Sequence, residues 1–265
     1  MLTNYHTHTT FCDGKNTPEE VVLHAIDKGF SAIGFSGHGS APYCIYGMAD
    51  TDGYIAEITR LREKYKDKIQ IYCGTEEDAF CPVDRTRLDY IIGSCHYFYI
   101  DGKYYPIDSN YQRFSECVEA FGGDVLRLAE TYYKFFADYI KTRKPDVVGH
   151  FDLITKFEEV DRMHFLNNER YYEIAEKYLR EAAKSGVLFE INTGAMAKGI
   201  RKTPYLGERL LKVLKEEGAG VILSSDCHFI EALDFGFEEA KKLLRSVGFD
   251  GVYNLYDGEF KKSFI

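Results

Sequence analysis

Short apolar runs that end in a histidine or a carboxylate recur along the whole chain. Of the eight histidines, only His24 and His164 stand elsewhere. The side chains at these ends are His6, His8, His38, Glu76, His96, His150, Asp226 and His228. Because the carboxyl ends of parallel strands meet at one edge of a sheet or barrel, we expect these side chains to converge. The pattern therefore predicts one metal site with several ions.

The apolar runs themselves read as strands that alternate with helical patterns, which is typical of an α/β barrel. The predicted core strands cover residues 2–6, 31–36, 69–75, 88–94, 146–150, 187–192 and 220–225. A run at 251–256 is either an eighth short strand or part of a closing hairpin. No composition break divides the 265 residues, so we expect a single domain over residues 1–265.

Two helix starts carry clear capping signals. Thr17 is a predicted N-cap, followed by Pro18 at the first helical position and by Glu20, which closes a capping box. Thr203-Pro204 repeats the signal and predicts a helix over 204–217. Two segments, 39–50 and 97–121, interrupt the alternation and are predicted as long loops at the barrel mouth. The tyrosines of the second segment either wall a substrate pocket or form a hydrophobic plug.

Composition narrows the class of partner. The net charge of −9 and the pI near 5.4 disfavour nucleic acid, which needs a basic surface. No apolar run approaches the ~20 residues that span a bilayer, so we expect no membrane segment. The seven cysteines include no CxxC pair, which favours free thiols and a cytoplasmic location. A small anionic substrate remains compatible with the negative net charge, because bound metal ions make the local electrostatic potential positive.

Pairs of ligand-type residues two positions apart add weight to the metal site. His6 and His8 point to the same face of a strand, and Asp226 and His228 repeat that spacing at the last barrel strand. Asp13 belongs to an Asp-Gly pair that is typical of turns, but its surroundings favour a ligand. Mixed histidine and carboxylate ligands suit Zn, Mn or Fe.

Two adjacent glutamates follow the third predicted strand. Because alternate residues face opposite sides, only one of Glu76 and Glu77 can point into the barrel mouth. We expect Glu76 to do so and to bridge two ions, with Glu77 as the alternative. The bridging carboxylate limits repulsion between neighbouring cations.

Taken together, these motifs resemble the polymerase-and-histidinol-phosphatase (PHP) superfamily. The motifs that carry the resemblance are His6-x-His8, Gly37-His38, Gly74-x-Glu76, Ser94-x-His96, Gly149-His150 and Ser225-Asp226-x-His228. They follow in this order over essentially the whole chain. Gly93-Ser94-Cys95-His96 and the run from Gly149 to Ile154 are most similar to the histidinol-phosphate phosphatases of that superfamily.

The resemblance implies a distorted (β/α)₇ TIM-like barrel with two or three divalent ions at its C-terminal mouth. One ion would bind His6, His8, Glu76 and Asp226. A second would share Glu76 and add His96 and His150. A third would bind His38, His228 and the side chain at position 13. Some members of the family have histidine at that position, so Asp13 is a departure.

The implied activity is hydrolysis of a phosphomonoester, with histidinol phosphate of histidine biosynthesis as the expected substrate. A water that bridges two metal ions becomes hydroxide near neutral pH and would attack phosphorus in line with the leaving oxygen. We predict Asp226 and His228 as catalytic residues. Arg201 and Lys156 are the predicted phosphate-binding cations, with solvated surface charge as the alternative for both.

Two other functions stay open. One is the same chemistry on another small phosphate ester, such as a nucleotide or sugar phosphate. The other is a non-catalytic barrel that binds metals for stability or as a scaffold. The intact ligand set favours the enzyme. The sequence leaves the oligomeric state, the metal identity and the acid that protonates the leaving group undetermined.

Overall fold

The computed structural model of the protein describes residues 1–158 and 165–265, and His164 lies outside these ranges. The strands, in chain order, are β1 (Thr3–Asn4), β2 (Ala32–Phe35), β3 (Gln70–Asp78), β4 (Tyr90–Ser94), β5 (Tyr97–Ile100), β6 (Lys103–Pro106), β7 (Val147–Val148), β8 (Leu188–Asn192), β9 (Val221–Ser224), β10 (Gly251–Tyr256) and β11 (Glu259–Phe264). The helices are α1 (Pro18–Asp27), α2 (Thr51–Tyr65), α3 (Tyr111–Ala120), α4 (Val125–Arg143), α5 (Glu169–Ala183), α6 (Gly194–Ala197), α7 (Glu208–Glu216) and α8 (Phe237–Ser246).

Seven strands form one parallel sheet in the order β1-β2-β3-β4-β7-β8-β9. Beyond the ends of β1 and β9, Thr7 pairs with Cys227 as a parallel bridge, so the sheet nearly closes on itself. The predicted distorted seven-stranded barrel is confirmed. Since all seven strands run in the same direction, their carboxyl ends form one mouth.

Large aromatic side chains fill the lower part of the barrel. The Tyr90 ring lies where side chains of neighbouring strands would stand, because a Cβ on Gly34 or Gly74 would come within 2.4 Å of it. Its hydroxyl donates a hydrogen bond to the backbone carbonyl of Tyr5 at 2.5 Å and lies 3.1 Å from that of Phe35. Tyr5 and Tyr72 belong to the same buried cluster as Tyr90, so aromatic rings occupy this part of the barrel interior.

Helix starts follow the capping signals at one site and depart from them at another. The Thr17 hydroxyl accepts a hydrogen bond from the Glu20 amide, and the Glu20 carboxylate accepts from the Thr17 amide, as the capping box predicts. The predicted start of α7 at Pro204 is wrong. Tyr205 instead pairs with Asn192 as an antiparallel bridge, and the helix begins at Glu208.

Two segments pack against the barrel in addition to its strands and connecting helices. The prediction of a long loop over 97–121 is wrong, because this segment forms the β5–β6 hairpin and helix α3. At the other end of the barrel, β10 and β11 form the closing hairpin that was one of two alternatives. Asn254 and Leu255 of this hairpin accept hydrogen bonds from Thr3 and Tyr5. In the described part of the chain, the helices lack the length and apolar character that membrane crossing requires.

Candidate metal centre

Glu76 lies at the centre of the barrel mouth, surrounded by imidazoles from five different positions. Its carboxylate is 1% exposed. The nearest distances from its oxygens to ring nitrogens are 2.9 Å to His38, 3.0 Å to His150, 3.2 Å to His96, 3.3 Å to His6 and 3.5 Å to His8. Five imidazoles from the ends of four strands therefore meet at one carboxylate on a fifth strand, β3.

The two predicted aspartates bring the remaining histidine into the same cluster. Asp226 Oδ1 lies 3.2 Å from His8 Nε2 and 3.3 Å from His228 Nδ1. Asp13 Oδ2 lies 3.3 Å from His228 Nε2, and Asp13 Oδ1 lies 3.5 Å from His8 Nδ1. The structure thus brings all nine sequence-predicted ligand residues together, while their binding of metal stays a prediction.

Four subsets of these side chains, found among residues 1–158 and 165–265, have ligand atoms within 4.8 Å of one another. They are His8, Asp13, His38 and His228; His6, Glu76 and His150; His6, His8 and Asp226; and His38, Glu76 and His96. The first set matches the third ion position implied by the family resemblance, with His8 added. Glu76 belongs to two sets, as expected for a bridging carboxylate.

Buried atoms without hydrogen-bond partners test whether the site fits metal ions. His6 Nε2, His8 Nε2 and Glu76 Oε2 are buried and make no hydrogen bond to the described part of the chain. Buried polar atoms are normally satisfied, and an unsatisfied one costs about 1–3 kcal/mol. Because these atoms face one another and are all good ligands, divalent ions would satisfy them together. The residues therefore fit a metal centre.

The electrostatics of the cluster keep its carboxylates ionised. Burial alone would raise the pKa of the Glu76 carboxyl, but His6, His96 and His38 hold this pKa well below its usual range. The Asp226 carboxyl keeps some exposure, and although its partial burial raises its pKa, His6 and Lys198 are the main groups that hold this pKa well below its usual range. Metal ligands must be deprotonated, so the carboxylates are in the form that binds cations.

The pKa values of the two histidines that follow β1 are shifted in opposite directions. Burial, with the nearby imidazoles of His228 and His38, lowers the pKa of His8 to about 3. Burial also opposes protonation of His6, but the carboxylates of Glu190 and Glu76 hold the pKa of His6 well above its ordinary value. His8 is therefore neutral and ready to bind an ion, whereas a proton competes with metal at His6.

Glu77 points away from the mouth, as alternation along β3 requires. Its carboxylate accepts hydrogen bonds from Arg143 Nε and Nη2 at 2.8 and 2.7 Å. It also accepts from the Tyr139 hydroxyl at 2.6 Å and from the Val83 amide at 2.7 Å. All of its hydrogen-bonding capacity is used at the outer face of the barrel.

Carboxylates outside the predicted ligand set support two of the histidines. Asp78 Oδ2 accepts from the backbone amide of His96 at 3.0 Å and lies 3.3 Å from its Nδ1. Asp78 Oδ1 accepts from the hydroxyl of Tyr43, whose ring stacks on Tyr104. Glu190 Oε1 lies 2.5 Å from His6 Nδ1. Histidine ligands of metals usually have such partners on the second ring nitrogen.

Three cations lie near the mouth in different settings. Lys156 and Lys198 line the same cavity of about 230 Å³ as seven of the nine predicted ligands. Lys156 Nζ bonds the backbone carbonyl and carboxylate of Asp108 at 2.6 and 3.1 Å. Lys198 Nζ lies 3.4 Å from His228 Nδ1. Arg201 is buried over the Tyr205 ring and donates to Thr155, beside a neighbouring cavity.

Aromatic and acidic side chains complete the wall of the cavity. Tyr46, from the 39–50 loop, packs against His38 with ring centroids 4.6 Å apart. Tyr205 lines the opposite part, 6.1 Å from the His150 ring, and Asp108 stands beside Lys156. The cavity therefore combines predicted metal ligands, two lysines, one further carboxylate and two tyrosines.

This geometry agrees with the similarity of the chain to known proteins. The PHP domain model matches residues 4–194, which is well over half of the 265-residue chain. The chain belongs to the PHP domain family. The match covers β1 to β8, while β9, with Asp226 and His228, lies beyond it.

Curated PHP-type relatives align along nearly their whole length. The "Probable histidinol-phosphatase" of Schizosaccharomyces pombe is 29% identical and covers 94% of this chain and 87% of its own. The histidinol-phosphatase of Bacillus subtilis is 26% identical, covering 88% and 94%. A crystal structure of histidinol phosphate phosphatase from Lactococcus lactis, complexed with zinc, L-histidinol and phosphate, has a TM-score of 0.75 at 22% identity and covers 98% of each chain. That likeness confirms the fold.

Sequence reasoning missed several residues of this PHP-domain site, among them Glu190, Lys198 and Asp108. Glu190 is a charged residue within the apolar run Leu188-Phe189-Glu190-Ile191-Asn192, and that break in the pattern was the available signal. Lys198 and Arg201 both follow β8, but only the fold reveals which of them lines the cavity. The predicted substrate-binding roles of Arg201 and Lys156 stay predictions.

Proposed function

We propose that this PHP-family phosphatase hydrolyses histidinol phosphate to histidinol and inorganic phosphate. The observation that carries the proposal is a cluster of six histidines and three carboxylates, seven of which line one cavity together with two lysines. A dense anionic ligand set recruits divalent ions, and lysines at its edge attract a phosphate dianion. The names of the relatives described above support the choice of substrate.

The nine clustered side chains would hold two or three divalent ions of Zn, Mn or Fe. His6, His8, Asp13, His38, Glu76, His96, His150, Asp226 and His228 are the proposed ligands. When bound, the ions would lower the pKa of coordinated water and neutralise charge on the phosphoryl group. Glu76, which belongs to two of the subsets, is the proposed bridge.

Lys198 is the proposed first contact of the substrate phosphate. Its ammonium stands beside His228 and helps to lower the pKa of Asp226, so its charge reaches the same region as the metal ligands. Lys156 is held by Asp108 and would present its remaining charge from the opposite wall. Charge-assisted hydrogen bonds to phosphate orient the ester for in-line attack.

Asp226 is the proposed catalytic carboxylate that would orient the attacking water, with His228 at its side. Its backbone adopts φ = 46°, a left-handed conformation that is uncommon for residues other than glycine. Strained backbone of this kind concentrates at functional sites. His228 Nδ1 bonds the backbone carbonyl of Asp226 at 2.8 Å, which ties the two side chains to one geometry.

The histidinol end of the substrate carries an imidazole and an ammonium group. Tyr46 and Tyr205 offer aromatic faces in the cavity, and Asp108 offers a carboxylate. A cation over an aromatic ring is worth about 0.5–2 kcal/mol, and a carboxylate adds direct charge pairing. We propose that these three side chains select histidinol phosphate over neutral or anionic phosphate esters.

A substrate panel tests the proposal. Protein purified without chelator and supplied with zinc or manganese is assayed for phosphate release from histidinol phosphate, a nucleoside monophosphate and a sugar phosphate. We expect kcat/KM to be highest for histidinol phosphate. Faster turnover of another ester would replace the substrate, and no turnover of any ester would favour a non-catalytic metal-binding barrel.

A further inference from the structure

Strand β8 is the one barrel strand that ends without any of the nine predicted ligands, yet it supplies a buried carboxylate. Glu190, in the middle of β8, is 1% exposed. Phe189 and Ile191 on either side belong to the outer hydrophobic core, so alternation turns Glu190 toward the barrel interior. Burying a charged group costs desolvation free energy, so a carboxylate in this position needs hydrogen-bonding partners that offset the cost.

Four hydrogen-bond donors surround the Glu190 carboxylate. Oε1 lies 2.5 Å from His6 Nδ1 and accepts from the Ser224 hydroxyl. Oε2 accepts from the backbone amide of His150 at 2.9 Å and from Asn192 Nδ2 at 2.9 Å. These donors come from β8 itself, from β9 and from the ends of β1 and β7, so the carboxylate has a fixed position and orientation.

The bond from His6 Nδ1 leaves the other ring nitrogen facing the cluster. His6 Nε2 lies 3.3 Å from Glu76 Oε2 and 3.7 Å from Asp226 Oδ1, and it has no hydrogen-bond partner among the described residues. The same carboxylate bonds the backbone of His150, a second residue of the cluster. Glu190 thus fixes one imidazole by its ring and another by its main chain.

We propose that Glu190 is a positioning residue that sets the metal affinity of the site by orienting His6. This inference rests on the metal centre of the proposed function, but not on the identity of the substrate. A carboxylate partner fixes the ring orientation and raises the basicity of a histidine ligand, and its loss typically weakens metal binding about 10–100-fold.

Two substitutions separate this role from general stability and from simple charge. Glu190→Gln keeps the shape but removes the charged acceptor for His6. Glu190→Asp keeps the charge but is one methylene too short to reach the same four donors. Glu77→Gln is the matched control, because Glu77 is equally buried but bonds Arg143, Tyr139 and Val83 on the outer face.

Zinc affinity is measured by competition with a chromophoric chelator, and the Tm of the metal-free protein is measured alongside. Both Glu190 variants are expected to bind zinc about 10–100-fold more weakly than the parent, and Glu77→Gln is expected to keep parental affinity. The metal-free Tm is expected to fall most in Glu77→Gln, which leaves an arginine without its buried partner.

Three outcomes overturn the proposal. The first is that Glu190→Gln binds zinc as tightly as the parent, and the second is that Glu77→Gln loses as much zinc affinity as the Glu190 variants. The third is that both Glu190 variants are unfolded without metal, because Glu190 would then be needed for the fold itself. A parent that binds no zinc or manganese overturns both the inference and the metal centre. If the variants show the expected zinc affinities but the parent releases no phosphate from histidinol phosphate, only the proposed substrate is refuted.

Discussion

Two adjacent glutamates on β3 are expected to fail in opposite ways when their charge is removed. Glu76 faces five imidazoles in the mouth, whereas Glu77 bonds Arg143 at the outer face. We predict that Glu76→Gln strongly weakens metal binding with modest effect on the metal-free fold. Glu77→Gln should weaken the fold and leave metal binding intact.

The size of the Glu76 effect follows from its contacts. Glu76 belongs to two of the four ligand subsets, so its charge is shared between two ion positions. A unit charge pair 4 Å apart is worth about 4 kcal/mol at an effective dielectric constant of about 20. A hundredfold loss of affinity corresponds to about 2.8 kcal/mol. We therefore expect Glu76→Gln to weaken binding at least about a hundredfold.

Thermal unfolding with and without zinc provides the assay. At a zinc concentration of about 100 times the parental Kd, binding stabilises the folded state by about 2.7 kcal/mol. A hundredfold weaker variant retains only about 0.4 kcal/mol of this stabilisation. For a chain of this size the difference is about 5–9 °C in the zinc-induced rise of Tm.

Glu77→Gln, the matched variant, tests the opposite expectation of a weaker fold with intact metal binding. Arg143 keeps 24% exposure, so losing its buried partner should cost less than the about 3–5 kcal/mol of a fully buried pair. We expect Glu77→Gln to lower the metal-free Tm by several degrees and to keep the parental rise with zinc. A full zinc response in Glu76→Gln would refute the bridging role, and its loss in Glu77→Gln would move the bridge there.

Further predictions concern substrate and metal. Lys198→Met should keep its metal content and lower kcat/KM by about ten- to a hundredfold, the equivalent of roughly 1.5–3 kcal/mol from a charge-assisted contact, as steady-state assays would report. Arg201→Ala should lower Tm, because Arg201 is buried and donates to Thr155 beside a neighbouring cavity. The phosphate-binding role predicted from the sequence would in addition require a similar fall in kcat/KM with the metals kept. Parental kcat/KM in Arg201→Ala would exclude Arg201 from phosphate binding. Removal of metal with a chelator should abolish phosphate release, and added zinc or manganese should restore it; activity that survives complete removal would contradict the metal mechanism.

The features that sequence reasoning captured are those set by local periodicity. Apolar runs ending in His38, Glu76, His96 and His150 predicted strands, and the parallel arrangement brought their ends to one mouth. The Thr17 capping box was equally local. Alternation also separated Glu76 from Glu77, because neighbouring side chains in a strand face opposite sides.

The features it missed depend on contacts between distant residues. The helix predicted from Thr203-Pro204 begins later, because Tyr205 pairs with Asn192 across the mouth. The tyrosine-rich segment 97–106 was predicted as part of a loop. It forms a β-hairpin, and Tyr97 of this hairpin packs against Tyr43. Glu190 finds its partners on three other strands, so its role is visible only in the folded barrel.

The most direct test of the central claim is anomalous diffraction from crystals of the protein loaded with zinc or manganese. The account predicts two or three metal peaks in the barrel mouth, with Glu76 shared between two of them and His6 Nε2 directed at one. Peaks elsewhere on the protein, or a mouth without any peak at saturating metal, would contradict the metal centre on which the proposed phosphatase activity depends.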